Sequence, residues 1–468
     1  MDKNIFISTT LPYCNGNMHV GAAFEFILGD VFNRYFKNNG YNTYFNIGLD
    51  QNGSKILAKA KELNIPVKDY VNSISKIWLE SINLLQIGYD NFYQTSSEEH
   101  SVKVKEIWNT LLKNKELYKK EYNGKYCLGC ESFKLDKDLI NDKCPEHPNI
   151  KIQEISETNY FLNLHKYKNN LLSWLNNNPL FDSDKNELIK YINDYEELSI
   201  SRKKTDFTFG IEVPNDNSQI IFIWFEALCN YLIAADKWVG WENCYTIQLC
   251  GKDNNRFQSQ IWQSILLYLN KKNTDKILIH GTILDDKGRK MSKTLGNVVD
   301  PIEQVNKYSV DAVRYYCTAG INTYTNSSWN EVDLVNLYNA NICNDWGNLL
   351  SRVLHLVDTK CNGEVILPDN DLQIETFLND IETAWNSFQI KDALHQTNLL
   401  VKHVNKYLND KEPWKLENPV QIISNVYSTL NIINDKYYPV FPSKYLEVKR
   451  AILNKKKEIL FTKLVIPK

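Results

Sequence analysis

Residues 5–23 read IFISTTLPYCNGNMHVGAA, and the helix-like AAFEFILGDVFNRYF runs on from Ala22. An apolar strand-like run thus hands over to a helix through a turn that holds Asn15, Gly16, His19 and Gly21. Such a corner offers the unpaired N–H groups and positive end of a helix N-terminus, which suit a phosphate. Glycines let a ligand approach the backbone, and an imidazole can donate to a phosphoryl oxygen. Strand-turn-helix corners with a glycine and a satisfied histidine are also common in proteins that bind nothing there.

The alternation continues outward. YNTYFNI (41–47) reads as a strand, and KILAKAKELN and DYVNSISKIWLESINLL read as helices. This βαβ order implies a parallel sheet with helices on its faces. The texture returns in YTIQLC (245–250) and KILIHGTI (276–283), whereas residues from about 115 to 205 carry a cysteine–histidine cluster and little parallel-strand pattern. From about residue 325 apolar side chains recur at helical spacing only, as in NLYNANICNDWGNLLSRVLHLVD and ALHQTNLLVKHVNKYL. The expected boundaries are 1–114 and 202–324 for two halves of one α/β domain, 115–201 for an insertion, and 325–468 for a helical domain.

Bulk composition fits a folded chain of about two or three domains. Of 468 residues, 43% are hydrophobic and 24% charged, with a net charge of -2 that argues against a general polyanion binder. No signal sequence is apparent, and the apolar run IIFIWFEALCNYLIAA (220–235) is broken by Glu226 and Asn230, short of a membrane span. Ten mostly scattered cysteines suggest reduced intracellular thiols. A cytoplasmic protein is expected.

Two further motifs carry chemistry. DDKGRKMSKTLGNVV (285–299) sets Lys290 and Lys293 in a loop after a glycine, where two mobile ammonium groups suit a triphosphate whose leaving group gains charge. A solvated basic loop is the plain alternative. Cys127-x2-Cys130-x13-Cys144-x2-His147 has the spacing of a closed, structural Cys3His zinc site. A redox CxxC is the rival, disfavoured by the second pair.

HVGA followed about 270 residues later by KMSKT resembles the two signatures of class I aminoacyl-tRNA synthetases. TTLPYCNGNMHVG, YFNIGLDQNGSK, YCLGCESF, ETNYFLNL, LSISR, IWFEALCNY, GKDNNRF, KGRKMSKTLGNVVDP, DAVRYY and EPW follow the order seen in methionyl-tRNA synthetases. The similarity spans about residues 5 to 440, and the insertion of roughly 90 residues is too short for the editing domain of the leucine, isoleucine and valine enzymes. The resemblance implies a Rossmann-type parallel-sheet catalytic domain split by a zinc-binding insertion and followed by an α-helical bundle that reads the anticodon. It implies a methionine–tRNA ligase that uses ATP with Mg²⁺, one structural Zn²⁺ and tRNA(Met), with no membrane partner, and a monomer.

By the same resemblance, His19 serves the α-phosphate with Asn15 and Gly21 nearby, and Lys290 and Lys293 follow the β- and γ-phosphates. Gly251, Lys252 and Asp253 hold the nucleotide. Asp50 anchors the methionine ammonium, and Arg202 joins its ion-pair network. Leu11, Tyr13, Trp224, Ala227, Tyr231, Phe257 and Trp262 surround the thioether, with Gln258 beside them. Asn348, Arg352 and Trp414 match the anticodon readers. Three departures stand out: Ala22 replaces the second histidine of the first signature, Gln258 replaces a common pocket histidine, and Gln51-Asn52 replace an acidic residue and a histidine. Asn15 and Lys252 are candidates to stand in for the missing imidazole. The departures leave two alternatives: a tRNA-binding paralogue that has lost adenylation, and a class I synthetase with altered selectivity.

Overall fold

The computed structural model describes residues 3–129, 132–134, 136–145, 148–177, 182–194, 197–205, 209–291, 295–369 and 371–466. Strands β1 (Asn4–Ser8), β2 (Asn42–Leu49) and β3 (Asn91–Gln94) open the chain, and helix α1 (Val20–Asn38) joins the first two. Further on come β4 (Leu117–Cys127), β5 (Ser132–Lys134), β6 (Gln153–Asn163), β7 (Glu197–Ser199), β8 (Ser201–Lys203), β9 (Glu212–Val213), β10 (Asp216–Ile221), β11 (Tyr245–Gly251) and β12 (Lys276–His280).

The central sheet has the order β12-β11-β1-β2-β3, and every pairing in it is parallel. β1 lies in the middle, with Ile5 and Ile7 buried on one face and Phe6 on the other, as the two-residue period of a strand requires. Because the chain builds outward from β1 on both sides, the strand order reverses between β1 and β11. In open parallel sheets ligands enter at that switch point, beyond the carboxyl ends of the strands.

Strands β4 to β7 form a separate antiparallel sheet, β5-β4-β6-β7, with β4 and β6 paired along Leu117↔Leu162 to Tyr126↔Gln153. A third small sheet, β8-β10-β9, leads into the apolar run 220–235. That run comprises the end of β10, a helix over Ile223–Leu228, a junction at Cys229 and the start of a second helix over Asn230–Trp238. Beyond residue 330 regular structure among the described residues is helical, in Glu331–Tyr338, Asn348–Cys361, Glu375–Asn386, Ile390–Lys411, Val420–Tyr437 and Pro442–Asn454. Between the first two, Asn339–Gly347 winds as a wide π-type turn. No described helix is long and apolar enough to cross a membrane.

One cluster of buried apolar side chains runs from the sheet (Ile5, Phe24, Phe45) into these helices (Leu350, Leu394, Ile433). At its heart lies Arg314, fully buried, whose Nη2 donates to Asp30 Oδ2 of α1 at 2.6 Å and to Pro439 O at 3.0 Å. Its Nε donates to Val440 O at 2.7 Å and its Nη1 to Leu85 O at 3.1 Å. Removing one partner of a fully buried pair leaves an uncompensated charge. Arg314→Ala should therefore cost about 3–5 kcal/mol of stability, read as a lowered urea midpoint.

Candidate active site

A cleft of about 1270 Å³ opens at the carboxyl ends of β1 and β11. From the first half of the chain it is lined by Leu11, Tyr13, Asn15, His19, Gly21 and Asp50. The second half contributes Trp224, Ala227, Tyr231, Gly251, Asp253, Phe257 and Gln258, with Arg202 and Lys290 also on its walls. Residues far apart in sequence thus meet at the switch point. Two expected lining residues do not: Lys252 and Trp262 are absent from the lining. Trp262 is fully buried, with its ring edge-on to Tyr231 at 5.7 Å and to Trp241 at 5.8 Å, so it backs the Tyr231 wall from the core side. Lys293 lies outside the described residues.

The turn at His19 uses its atoms differently from the sequence expectation. His19 is the N-cap of α1, and its Nδ1 accepts from the backbone N–H of Gly21 at 3.1 Å and of Ala22 at 3.3 Å. Val20 N–H goes to Val299 O at 3.1 Å and Ala23 N–H to His19 O at 3.0 Å. The first-turn amides are therefore engaged within the protein and are not open to a phosphate. The cap has a chemical consequence: with Nδ1 accepting, the neutral ring carries its proton on Nε2 as a donor. A Cβ at Gly21 would stand 2.9 Å from His19 Cε1, so this glycine makes room for the capping ring. Trp78 Nε1 fixes the preceding turn by donating to Gly16 O at 2.8 Å.

Ala22 puts only a methyl into the cleft. One turn further along α1, Glu25 also lines it and is almost wholly buried. Its Oε1 accepts from Thr10 N–H at 2.5 Å and Thr10 Oγ1 at 2.7 Å, and its Oε2 faces His280 Nε2 at 2.9 Å. His280 Nδ1 faces Gly281 O at 2.9 Å. Both ring nitrogens thus meet acceptors, which calls for the doubly protonated ring. Burial works against that charge, but the Glu25 carboxylate outweighs it with help from the Gly281 carbonyl, so the His280 pKa is raised. Gly251 lets Asp253 and His280 come together: a Cβ there would lie 2.7 Å from Asp253 Oδ1.

At the other end, Trp224 and Phe257 stack with centroids 4.0 Å apart and planes 11° off parallel. Gln258 is buried and its Nε2 donates to Tyr231 Oη at 2.6 Å, so the pocket's polar end is internally satisfied. Asp50 follows β2, with its N–H on Pro12 O at 2.9 Å and its carbonyl accepting from Cys14 N–H at 2.8 Å. Its Oδ1 accepts from Thr95 Oγ1 at 3.3 Å and Asn52 N–H at 3.4 Å. Arg202 lays its guanidinium 4.2 Å over the Phe222 ring, and its Nη1 donates to Ser201 O at 2.7 Å. In the loop that carries Lys290, Asp285 accepts from Asn297 Nδ2, from the N–H groups of Lys287 and Arg289, and from Arg289 Nε. The Asn297 bond and these other donors hold its carboxyl well below the usual range.

Sequence reasoning missed Thr10, Glu25 and His280, and also Glu226 and His100, buried behind Asp50. A signal existed for two of them: Glu25 sits in an apolar helix, and Glu226 interrupts an apolar run. The remaining expectations fall elsewhere. Cys127 and Cys144 are both fully buried in the insertion and neither forms a disulfide. Cys130 and His147 lie outside the described residues, and no cluster of three metal-binding side chains occurs among the described ones. In the helical region, Arg352 stands 5.7 Å over the Trp414 ring and its Nη2 donates to Asn409 Oδ1 at 2.8 Å. Asn348, four residues before Arg352, lines a smaller cavity of about 380 Å³ with Ser351 and Phe461.

Comparison with known proteins fits this arrangement. The family described as "tRNA synthetases class I (M)" matches residues 5–156 and 149–354. A methionine–tRNA ligase of Fusobacterium nucleatum is 33% identical over 462 residues, covering 94% of this chain and 72% of its own. One from Nostoc sp. is 30% identical, covering 94% of this chain and 88% of its own. Among solved structures, Mycobacterium tuberculosis methionyl-tRNA synthetase bound by methionyl-adenylate superimposes with a TM-score of 0.87 at 25% identity, over 95% of this chain and 93% of that one.

The His280–Glu25 pair gives a direct test by NMR. His280 should titrate above the ordinary histidine range, and Glu25→Gln, which removes the carboxylate charge, should bring it down.

Proposed function

The chain belongs to the class I tRNA synthetases of the methionine type, and on that premise we propose that it joins methionine to tRNA(Met) in two steps in the cleft at the switch point. The observation that carries this reading is the meeting, in one cleft, of a donor histidine, a carboxylate beside an aromatic pocket, and a lysine from the second signature. In the first step the methionine carboxylate oxygen attacks the α-phosphorus of ATP. The bond to the bridging oxygen breaks, pyrophosphate leaves and methionyl-adenylate forms. In the second, a hydroxyl of the tRNA's terminal adenosine attacks the methionyl carbonyl and AMP leaves.

No enzyme nucleophile is required, so the protein contributes positioning and charge stabilisation. His19 Nε2–H donates to the α-phosphoryl group. Lys290, with Lys293, follows the charge that gathers on the pyrophosphate, which enters with Mg²⁺ on ATP. Asp253 and Gly251 receive the nucleoside. Asp50 takes the methionine ammonium, Arg202 flanks that site, and the thioether lies against Trp224, Phe257 and Tyr231, where a polarizable chain packs well. The Gln258 amide satisfies the Tyr231 hydroxyl without a histidine, which favours an apolar guest. Asn15 stays beside the α-phosphate, whereas Lys252, outside the lining, no longer stands as a substitute for the imidazole missing at Ala22.

The same reading assigns residues 115–201 as a zinc-bearing insertion between the catalytic halves 1–114 and 202–324, and 325–468 as the anticodon-binding helical domain. Buried Cys127 and Cys144 fit thiolate ligands, and Cys130 and His147 complete the set. A zinc there would hold together a unit with little core of its own. Asn348, Arg352 and Trp414 are proposed to receive anticodon bases, supported by the close approach of Arg352 to the Trp414 ring. The chain is proposed to act as a cytoplasmic monomer.

The test is methionine-dependent ATP–pyrophosphate exchange. Lys290→Ala should lower the rate by about 10²–10³-fold, as loss of one transition-state donor does, and Ala22→His should raise it. A wild-type chain that exchanges with no amino acid would leave only the tRNA-binding reading. One equivalent of zinc should be found by elemental analysis and lost in Cys127→Ser.

A further inference from the structure

Behind the methionine end of the cleft lies a chain of buried polar groups that the reaction does not use. Glu226 belongs to the short helix Ile223–Leu228, which carries Trp224 and Ala227 into the cleft. Its side chain turns the other way and is fully buried. Glu226 Oε1 accepts from Asn52 Nδ2 at 2.7 Å, and Oε2 lies 2.5 Å from His100 Nε2. His100, also fully buried, has its Nδ1 2.8 Å from Tyr93 Oη. Asn52 Nδ2 also donates to Thr95 O at 3.2 Å, and Asn52 N–H points at Asp50 Oδ1. Next to it, Gln51 donates from its N–H to Thr95 Oγ1 at 2.9 Å and from its Nε2 to Ser75 Oγ at 2.8 Å.

The loop after Asp50 is therefore fastened on one side to the end of β3 and the helix Val67–Leu84, and on the other through Asn52 to Glu226 and through Gly53 N–H to Phe209 O at 2.7 Å. We propose that Glu226 is a positioning residue for methionine recognition, pinning the ammonium-anchoring loop to the helix that carries the thioether pocket by means of one proton shared with His100. This inference rests on the functional reading above. It adds two residues that touch neither substrate.

The proton count follows from the bonds. With one proton between Glu226 Oε2 and His100 Nε2, and another on Nδ1 donated to Tyr93 Oη, every polar atom of the pair is satisfied and the pair is neutral overall. Removing the shared proton leaves a buried carboxylate facing a neutral ring, an arrangement a dry interior disfavours. Burial pushes Glu226 up to about 8 and His100 down to about 3. Of the other ionisable groups facing the pair, Tyr93 on β3 and Cys229 at the end of the Glu226 helix are pushed up by burial and stay uncharged through this range, and Asp50 lies two residues from Asn52. The Asn52 amide, which favours the carboxylate, works against burial at Glu226 without outweighing it.

The sign of the pH effect is then fixed. Between about pH 4.5 and 6.5 the pair holds one proton both folded and unfolded, from the ordinary carboxyl and imidazole values. Above that the unfolded chain holds none while the folded pair keeps one until about pH 8, so its contribution to stability falls as pH rises through this window. Methionine affinity should fall over the upper part of the same window, as the pin loses its proton.

The experiment is calorimetric titration with methionine, and separately with ATP, from pH 6 to 9, alongside exchange kinetics. In the wild type the methionine Kd should rise at least fivefold between pH 7 and 9, with the ATP Kd steady. Glu226→Gln reproduces the protonated acid, accepting from Asn52 and donating to His100, so it should bind methionine like wild type at pH 7 and lose the pH dependence. Glu226→Ala and Asn52→Ala should each weaken methionine binding about tenfold at pH 7, leaving kcat and the ATP Kd within twofold; Asn52→Ala serves if Glu226→Ala does not fold. A Glu226→Gln profile that tracks wild type, or variants that weaken ATP as much as methionine, would overturn the proposal and leave the synthetase reading standing. A wild-type chain that binds no methionine would overturn both.

Discussion

The guanidinium of Arg314 is the constraint from which the rest of the structure takes its geometry. A fully buried cation needs acceptors for its donors, and Arg314 finds them on α1, on the turn at Leu85 and on the Pro439–Val440 corner of the C-terminal helices. Asp30 is gripped from further sides as well, since its Oδ1 takes Gly88 N–H at 2.8 Å and Arg34 Nε at 3.0 Å. One ion therefore fixes the depth of α1 against the sheet and ties the sheet to the helical region. Because α1 also carries His19, Ala22 and Glu25, a polar contact deep in the core determines where the cleft's polar groups stand.

With α1 so fixed, the chemistry at its mouth comes from side chains. The amides of its first turn are taken by His19 Nδ1 and by Val299 O. The helix end therefore serves to set a tautomer, turning a histidine into an oriented Nε2–H donor. The Glu25–His280 pair repeats the principle at the other wall, where two acceptors select the charged ring. Glu226 and His100 repeat it behind the Trp224–Phe257 end of the cleft. At each place a fixed hydrogen-bond partner selects the protonation state of a histidine.

The parallel sheet was legible because β1 and β11 are short apolar runs bounded by turns, and the helical region because its apolar spacing keeps to the helical period. The cleft was legible in outline because its residues sit in recognisable stretches such as GLD and GKD. What stayed hidden depends on pairs that only the fold creates. Glu25 meets His280 across 255 positions and Glu226 meets His100 across 126. No local pattern reports such a meeting. The Trp262 expectation failed for the same reason: an aromatic at the right spacing faces the core or the cleft according to what stands before it, and Tyr231 stands before it. The helix break at Cys229 escaped because a run of strong apolar residues reads alike as one helix or as two.

The central claim is that the crevice between β1 and β11 holds ATP and methionine side by side for in-line attack. Single-turnover formation of methionyl-adenylate on the isolated chain tests it most directly. The account predicts close to one adenylate per chain, formed with methionine and with no other amino acid, and a His19→Ala chain that binds methionine normally yet forms adenylate far more slowly. A folded wild-type chain that binds both ligands and forms no adenylate would contradict it.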